Sequence, residues 1–97
     1  MRKILNVYEL SEIKQKGFVI AGTNEAFDSL NIYEIRSIIG DKIILINENN
    51  EDLYLDVLDV EFSNSILNKK NIFILVKPYR QLYEYMKNDK LEAYAEN

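Results

Sequence analysis

The chain has 97 residues and a net charge of -4, and it contains neither cysteine nor histidine. With 47% hydrophobic and 29% charged residues, a chain of this length fits one globular domain with a modest core. The two missing residue types exclude disulfide frameworks, thiolate chemistry and histidine-dependent triads, and they remove the commonest metal ligand. We therefore predict that the chain is not an enzyme and holds neither a cofactor nor a metal ion.

The sequence contains no pattern typical of export or membrane insertion. Its first ten residues, MRKILNVYEL, have no long apolar run and no small-residue cleavage site, which predicts the absence of a signal peptide. No segment reaches the ~18 apolar residues that are needed to span a bilayer. We expect a cytoplasmic protein with no membrane partner.

The beginning of the chain predicts two strands. Residues 3–13 mix apolar and polar side chains with no clean period, and the polar run KQKG follows them. We interpret this segment as an irregular strand. Phe18–Ala21 is a short apolar run that ends at Gly22, and it predicts a second strand.

The segment that follows is the hardest to interpret. Residues 24–30 predict a short helix or helical turn, with Thr23 or Asn24 as its cap. Residues 32–38 are rich in β-branched and aromatic side chains, which favour an extended segment. Residues 40–41, Gly-Asp, then predict a turn.

The middle of the chain predicts consecutive antiparallel strands. They are Ile43–Ile46, Leu53–Phe62 and Ile72–Val76. Asn47–Asp52 is interpreted as a hairpin loop, because it lacks the glycine and the final glutamate of a calcium loop. Ser63–Asn71 is a polar connection with a small apolar anchor, Ile66 and Leu67. Pro78 ends the last of these strands, because proline cannot donate a hydrogen bond to the sheet.

The strand Leu53–Phe62 changes phase in its middle. A strict period of two would place Asp59 and Glu61 in the core, whereas one extra residue returns both carboxylates to solvent. We therefore predict a β-bulge or sharp bend near Val57–Asp59. Such bends help to close a barrel.

The last part of the chain predicts a helix over about residues 79–94. Leu82, Tyr85 and Met86 are spaced to share one helix face, and Pro78 suits a first helical turn. Two roles remain open for this helix. It could cover the outer face of two strands, or it could bind a partner.

Three segments resemble the second domain of translational GTPases of the elongation factor Tu type. KGFVIAGT (16–23) is similar to a strand with a Gly-x-Val-x-x-Gly pattern, and IIGDKIILIN (38–47) is similar to a Val-Gly-Asp strand start. Residues 55–76 resemble the strand, polar connection and final strand that complete that barrel. The resemblance implies a closed, mainly antiparallel barrel of six or seven strands. It does not imply GTP hydrolysis, because the chain has no phosphate-binding loop.

The fold prediction is therefore a mainly β, single-domain chain over residues 1–97. A small antiparallel barrel, closed or partly open, spans about residues 4–77, and the C-terminal helix follows it. The segment at 23–37 and the helix after Pro78 depart from the family pattern.

The acidic residues are concentrated in one stretch. Between Ile43 and Asn68 there are six acids and no lysine or arginine. They are Glu48, Glu51, Asp52, Asp56, Asp59 and Glu61. Such a surface favours a basic protein partner and disfavours nucleic acid, whose phosphates need positive charge. The alternative is a solvated face that only keeps the protein soluble.

Small acidic domains without cysteine or an active site are typical of immunity proteins and antitoxins. The sequence therefore favours a protein-binding module that neutralises a basic toxin, such as a nuclease, by masking its surface. The six acids would pair with basic residues of the toxin, and Tyr54 would be a nearby aromatic anchor. The alternative is a translation-related accessory domain that contacts the ribosome, RNA or a translation factor.

Overall fold

The computed structural model of the chain describes residues 1–96. These residues form six strands, a 3-10 helix and two α-helices. The strands are β1 (Arg2–Ile13), β2 (Gly17–Thr23), β3 (Lys42–Asn47), β4 (Asp52–Asn64), β5 (Lys70–Val76) and β6 (Leu91–Ala95). The helices are the 3-10 helix Glu25–Phe27, α1 (Ile32–Ile39) and α2 (Leu82–Tyr85).

The strands close into an antiparallel barrel in the order β1-β2-β5-β4-β3-β6, and β6 pairs with β1 to complete the circle. Every strand has two neighbours, and the two longest strands pair with theirs in succession along their length. The first half of β1 pairs with β6 and its second half with β2, while β4 pairs first with β3 and then with β5. The predicted mainly β, closed antiparallel barrel is confirmed.

Bulges bend the two long strands where they change neighbours. In β4 the register shifts between Val57 and Asp59, so the predicted bulge is confirmed. In β1 the register shifts between Val7 and Glu9. Each bulge turns its strand from one side of the barrel to the other, as closure of a small barrel requires.

The interior of the barrel is filled by side chains that alternate along each strand. In β5 these are Ile72, Ile74 and Val76, all fully buried. Side chains from both α-helices close the ends of the barrel, since Ile35 of α1 and Leu82 of α2 belong to the same buried cluster. The core therefore extends from one helix to the other.

The short helix predicted within residues 24–30 is present as the 3-10 helix. Asn24 is its cap, with its side-chain oxygen accepting a hydrogen bond from the backbone N–H of Ala26 at 3.0 Å. The same side chain donates to the carbonyl of Ile4 in β1 at 2.9 Å. Asn24 therefore fixes both the start of this helix and its position on the barrel.

The extended segment predicted over residues 32–38 is wrong, because these residues form α1. The side chain of Asn31 accepts from the N–H of Glu34 at 2.9 Å, and the Glu34 carboxylate accepts from the N–H of Asn31 at 3.1 Å. This capping box satisfies two free donors at once. Ile35 and Ile39, one helical turn apart, are buried on the barrel end. Capping and burial together outweigh the β propensity of the segment.

The helix predicted over residues 79–94 is also largely wrong. Only Leu82–Tyr85 form a helix, and Leu91–Ala95 form the strand that fills the gap between β1 and β3. Leu91, Ala93 and Ala95 alternate into the core. The unpaired edges of two strands offer these residues a complete set of backbone hydrogen bonds, which outweighs their helix propensity.

The connection between β4 and β5 is shorter than predicted, because β4 extends to Asn64 and β5 begins at Lys70. Ile66 and Leu67 do not anchor it. Ile66 is 100% exposed and Leu67 is 76% exposed. The prediction of a small apolar anchor at this place is therefore wrong.

Candidate protein-binding surface

The bulge in β4 divides the predicted acidic stretch between two outer faces of the barrel. The tyrosine face is the outer side of β3, β6, the beginning of β1 and residues 52–56 of β4. The groove face is the outer side of β2, β5, the end of β1 and residues 59–64 of β4. All six predicted acids are exposed. They do not form a single surface, because the strand turns between Asp56 and Asp59.

The tyrosine face has an apolar centre that its own side chains cover. Ile44 lies in register with Tyr54 of β4 on one side and Tyr94 of β6 on the other. Although it points away from the interior cluster, Ile44 is only 1% exposed. Tyr54, the predicted anchor, therefore contributes part of the cover of a neighbouring isoleucine.

Two ion pairs lie on the tyrosine face. Lys42 lies 3.7 Å from Asp56, and Lys3 forms an ion pair with Glu92. The hydrogen bond from Lys3 lowers the pKa of Glu92. Of the predicted binding residues, Asp56 is thus engaged by a neighbouring strand, which reduces the charge available to a partner.

The remaining acids before the bulge lie at the predicted hairpin loop, which is confirmed between β3 and β4. The loop is held by Asn47, whose side-chain oxygen accepts from the N–H of Glu51 at 2.9 Å. The hydroxyl of Tyr85 in α2 donates to the carbonyl of Glu51 at 2.9 Å. Burial, together with the charges of Glu51 and Asp52, raises the pKa of Tyr85. Glu48 and Asp52 extend from this fixed loop into solvent.

The groove face is apolar in its centre and acidic at its edges. Two rows of residues cross it in register; β4 supplies an acid to each row, and β1 supplies Glu9 to the second. The rows are Ser11, Val19, Leu75, Asp59 and Glu9, Ala21, Phe73, Glu61. Val19, Phe73 and Leu75 are only partly buried. Apolar side chains in a row with carboxylates at its end form a surface suited to an amphipathic group.

A groove of about 240 Å³ follows this face, with Val19, Phe73 and Leu75 among its lining residues. Asp59 and Glu61 line it on the β4 side, and Ile13 and Lys16 complete it. Arg36 of α1 forms an ion pair with Asp59 and donates a hydrogen bond to it at 3.3 Å, so Asp59, like Asp56, is engaged within the chain. Among residues 1–96, no ion pair within 4.0 Å includes Glu61.

Sequence reasoning found the acids of the groove but missed its apolar floor. The signal was present, since Ile72–Val76 is apolar at every position and therefore has apolar side chains on both faces of the sheet. A C-terminal helix was a candidate cover for the outer side. Because that segment instead forms α2 and β6, Phe73 and Leu75 remain partly exposed on the outside of the barrel.

Apolar side chains and two carboxylates line the groove together. Within residues 1–96 there is no group of three or more acidic side chains that could hold a metal ion. In the same part of the chain, no helix is both long and apolar enough to cross a membrane.

Comparisons of this chain with protein-family models, with curated proteins and with solved structures found no match.

Proposed function

We propose that this chain is a non-enzymatic binding module of the immunity or antitoxin kind, which neutralises a basic toxin by covering its surface. Its mode of action is steric and electrostatic, with no turnover. The observation that carries this proposal is the groove of Val19, Phe73 and Leu75 with Asp59 and Glu61 at its edge.

The groove favours a lysine or arginine side chain of the partner. Such a side chain would lay its aliphatic stem on Val19 and Leu75 and direct its charge to Glu61. An arginine could also stack its guanidinium on the ring of Phe73. Apolar contact and charge pairing would then act at the same place, as they do at the centre of strong interfaces.

The acids on the other side of the bulge would have a secondary role. Glu48, Glu51 and Asp52 lie at the exposed hairpin loop, and their charge would attract a basic partner before contact. Asp56 and Tyr54 contribute less in this proposal, because both are engaged with neighbouring strands. Longer-range attraction of this kind mainly raises the association rate and weakens with salt.

The test is capture of the partner with the wild-type chain and with two matched charge reversals. The bait is exposed to lysate of the source cell and to the products of neighbouring genes, and bound protein is eluted by a salt step. We expect one basic protein, whose toxicity the wild-type chain suppresses. Glu61→Lys should lower its affinity at least about tenfold, while Glu48→Lys in the hairpin loop should lower it only about twofold.

If Glu61→Lys and Glu48→Lys lower the affinity equally, the groove is not the centre of the interface. Capture of ribosomal proteins or RNA would instead support a translation-related accessory domain. That second candidate rests on the resemblance to the elongation factor barrel domain, which implies the kind of closed antiparallel barrel that this chain has. A captured protein that is neither basic nor released by salt would contradict the proposal.

A further inference from the structure

The turn between β4 and β5 holds two aliphatic side chains in solvent. The N–H of Asn68 donates to the carbonyl of Ser65 at 3.1 Å, and the N–H of Ser65 donates to the carbonyl of Lys69 at 2.8 Å. Asn68 has φ of 60°, a conformation that asparagine tolerates better than most residues. The turn is therefore well formed, and Ile66 and Leu67 occupy its two central positions, where polar residues are usual.

The segment that contains this turn differs in charge from the rest of the chain, and the acids near it in space, Glu25 and Asp28, come from the 3-10 helix and the residue after it. Residues 63–71 contain two lysines, Lys69 and Lys70, and no acid. Lys70 is engaged, because its ammonium donates to the carbonyl of Asp28 at 2.7 Å and lies over the ring of Phe62. Lys69 is exposed and lines a polar groove that also includes Glu25. Among residues 1–96, no ion pair within 4.0 Å includes Lys69.

The turn is complementary to the groove face of the same protein. The turn presents two aliphatic side chains followed by a lysine, and the groove presents an apolar floor beside Asp59 and Glu61. The geometry points to a second copy of this chain as the occupant of the groove, with Ile66 and Leu67 on the floor and Lys69 beside Glu61. Local charge complementarity favours this occupant, because Lys69 would meet the carboxylates of Asp59 and Glu61, whereas an anionic membrane offers no positive charge to a chain with a net charge of -4.

Such a contact joins two different surfaces and is therefore heterologous, so that association continues beyond the dimer unless the geometry closes a ring. One turn buries less area than a stable interface needs, and we expect a dissociation constant on the order of 100 µM. Self-association goes beyond the proposed function but uses the same groove. A basic partner bound at the groove would therefore dissociate the copies.

The first test measures sedimentation velocity over a concentration series that reaches about 1 mM, well above the expected dissociation constant. The wild-type chain should show a rising fraction of dimer and larger species. The double variant Ile66→Ser, Leu67→Ser should remain monomeric, and because both side chains are exposed its fold should be unaffected. The matched control is Tyr33→Ser, which removes another large side chain that is 76% exposed, and it should associate as the wild type does.

Exchange of the charges at Lys69 and Glu61 tests whether the turn of one copy contacts the groove of the other. Lys69→Glu alone and Glu61→Lys alone should each weaken association at least about fivefold, and the double variant should regain most of it. Loss of association in both single variants without recovery in the double variant would contradict the pairing of turn and groove. Circular dichroism of each variant separates loss of contact from loss of fold.

A wild-type chain that stays monomeric throughout the series would overturn the inference. Self-association that persists in the Ile66→Ser, Leu67→Ser variant would also overturn it. Binding of the turn to vesicles with phosphatidylserine, in the absence of self-association, would assign it to a membrane instead. None of these results bears on the proposed function, which is tested by partner capture at micromolar concentration, where the copies are separate.

Discussion

The two outer faces of this barrel share strands β1 and β4, but they differ in how far the chain's own side chains cover their apolar residues and pair their acids. On the tyrosine face, Ile44 is covered by two tyrosines, and Asp56 has a lysine across the strand pair. On the groove face, Phe73 and Leu75 are partly exposed beside Glu61. The acids on the two faces therefore differ in how far the chain itself engages them. An acid becomes available to a partner where the chain supplies neither a cation nor a cover.

The bulge in β4 creates this difference. Residues before Val57 pair with β3 and residues after it pair with β5. The acids of this one strand therefore lie in two different environments. β3 brings Lys42 opposite Asp56, whereas β5 brings Leu75 and Phe73 opposite the two later acids. Mutations at the bulge, on each face and at the ion pairs therefore measure separately how much each feature contributes to stability and to partner binding.

The largest expected effect follows from deletion of Leu58, the extra residue of the bulge. Deletion would keep Val57 and Val60 facing inward and Asp59 and Glu61 facing outward, but it would remove the bulge and with it the bend that lets β4 pair first with β3 and then with β5. We expect the free energy of unfolding to fall by about 4 kcal/mol or more, because the barrel depends on this bend for closure. Circular dichroism, followed during urea denaturation, measures this loss of stability. Leu58→Ala is the control and should cost less than about 1 kcal/mol, because Leu58 is 46% exposed.

A matched pair of truncations compares the apolar centres of the two faces. Ile44→Ala should cost about 3 kcal/mol, because it removes a fully covered side chain. Leu75→Ala should cost about 1 kcal/mol, since water already reaches part of that residue. Urea denaturation of both variants gives the two values. Equal losses would mean that the groove face is as well covered as the tyrosine face.

Partner affinity provides the next comparison. Phe73→Ala should weaken binding of the captured basic partner about tenfold, because it removes the aromatic floor of the groove. Tyr54→Ala should change affinity less than about threefold, since Tyr54 lies on the other face. Isothermal titration calorimetry measures both, with thermal melts to show that each variant is folded. A larger loss for Tyr54→Ala would move the interface to the tyrosine face.

The smallest expected effect is a pH dependence from the tyrosine face. Because Lys3 lowers the folded-state pKa of Glu92, the pair stabilises the fold at pH values above about 4.3, the usual pKa of glutamate. This stabilisation is lost as the pH falls through the lowered value. Glu92→Gln should therefore flatten the acid side of the stability curve. In Lys3→Met, NMR titration should show the Glu92 pKa closer to its usual value.

Local patterns predicted much of the barrel. The period of two places the strands, and the phase change after Val57 predicts the bulge, because a carboxylate in the core costs too much to tolerate. The capping box of Asn31 and Glu34 was also readable in the sequence. The density of β-branched residues led to the wrong prediction there, since propensity is weaker than a capped helix with a buried face.

Two features depended on the tertiary structure alone. Leu91–Ala95 is a strand because β1 and β3 both have edges to be paired, and no local pattern contains that information. The groove depends on the same outcome, because it exists only where the predicted covering helix is absent from Phe73 and Leu75. The sequence by itself indicated strands β1 to β5 and where the acids lie, since alternation and charge are local properties. Which neighbour each acid meets was decided by strand order, which is set by contacts between residues far apart in the chain.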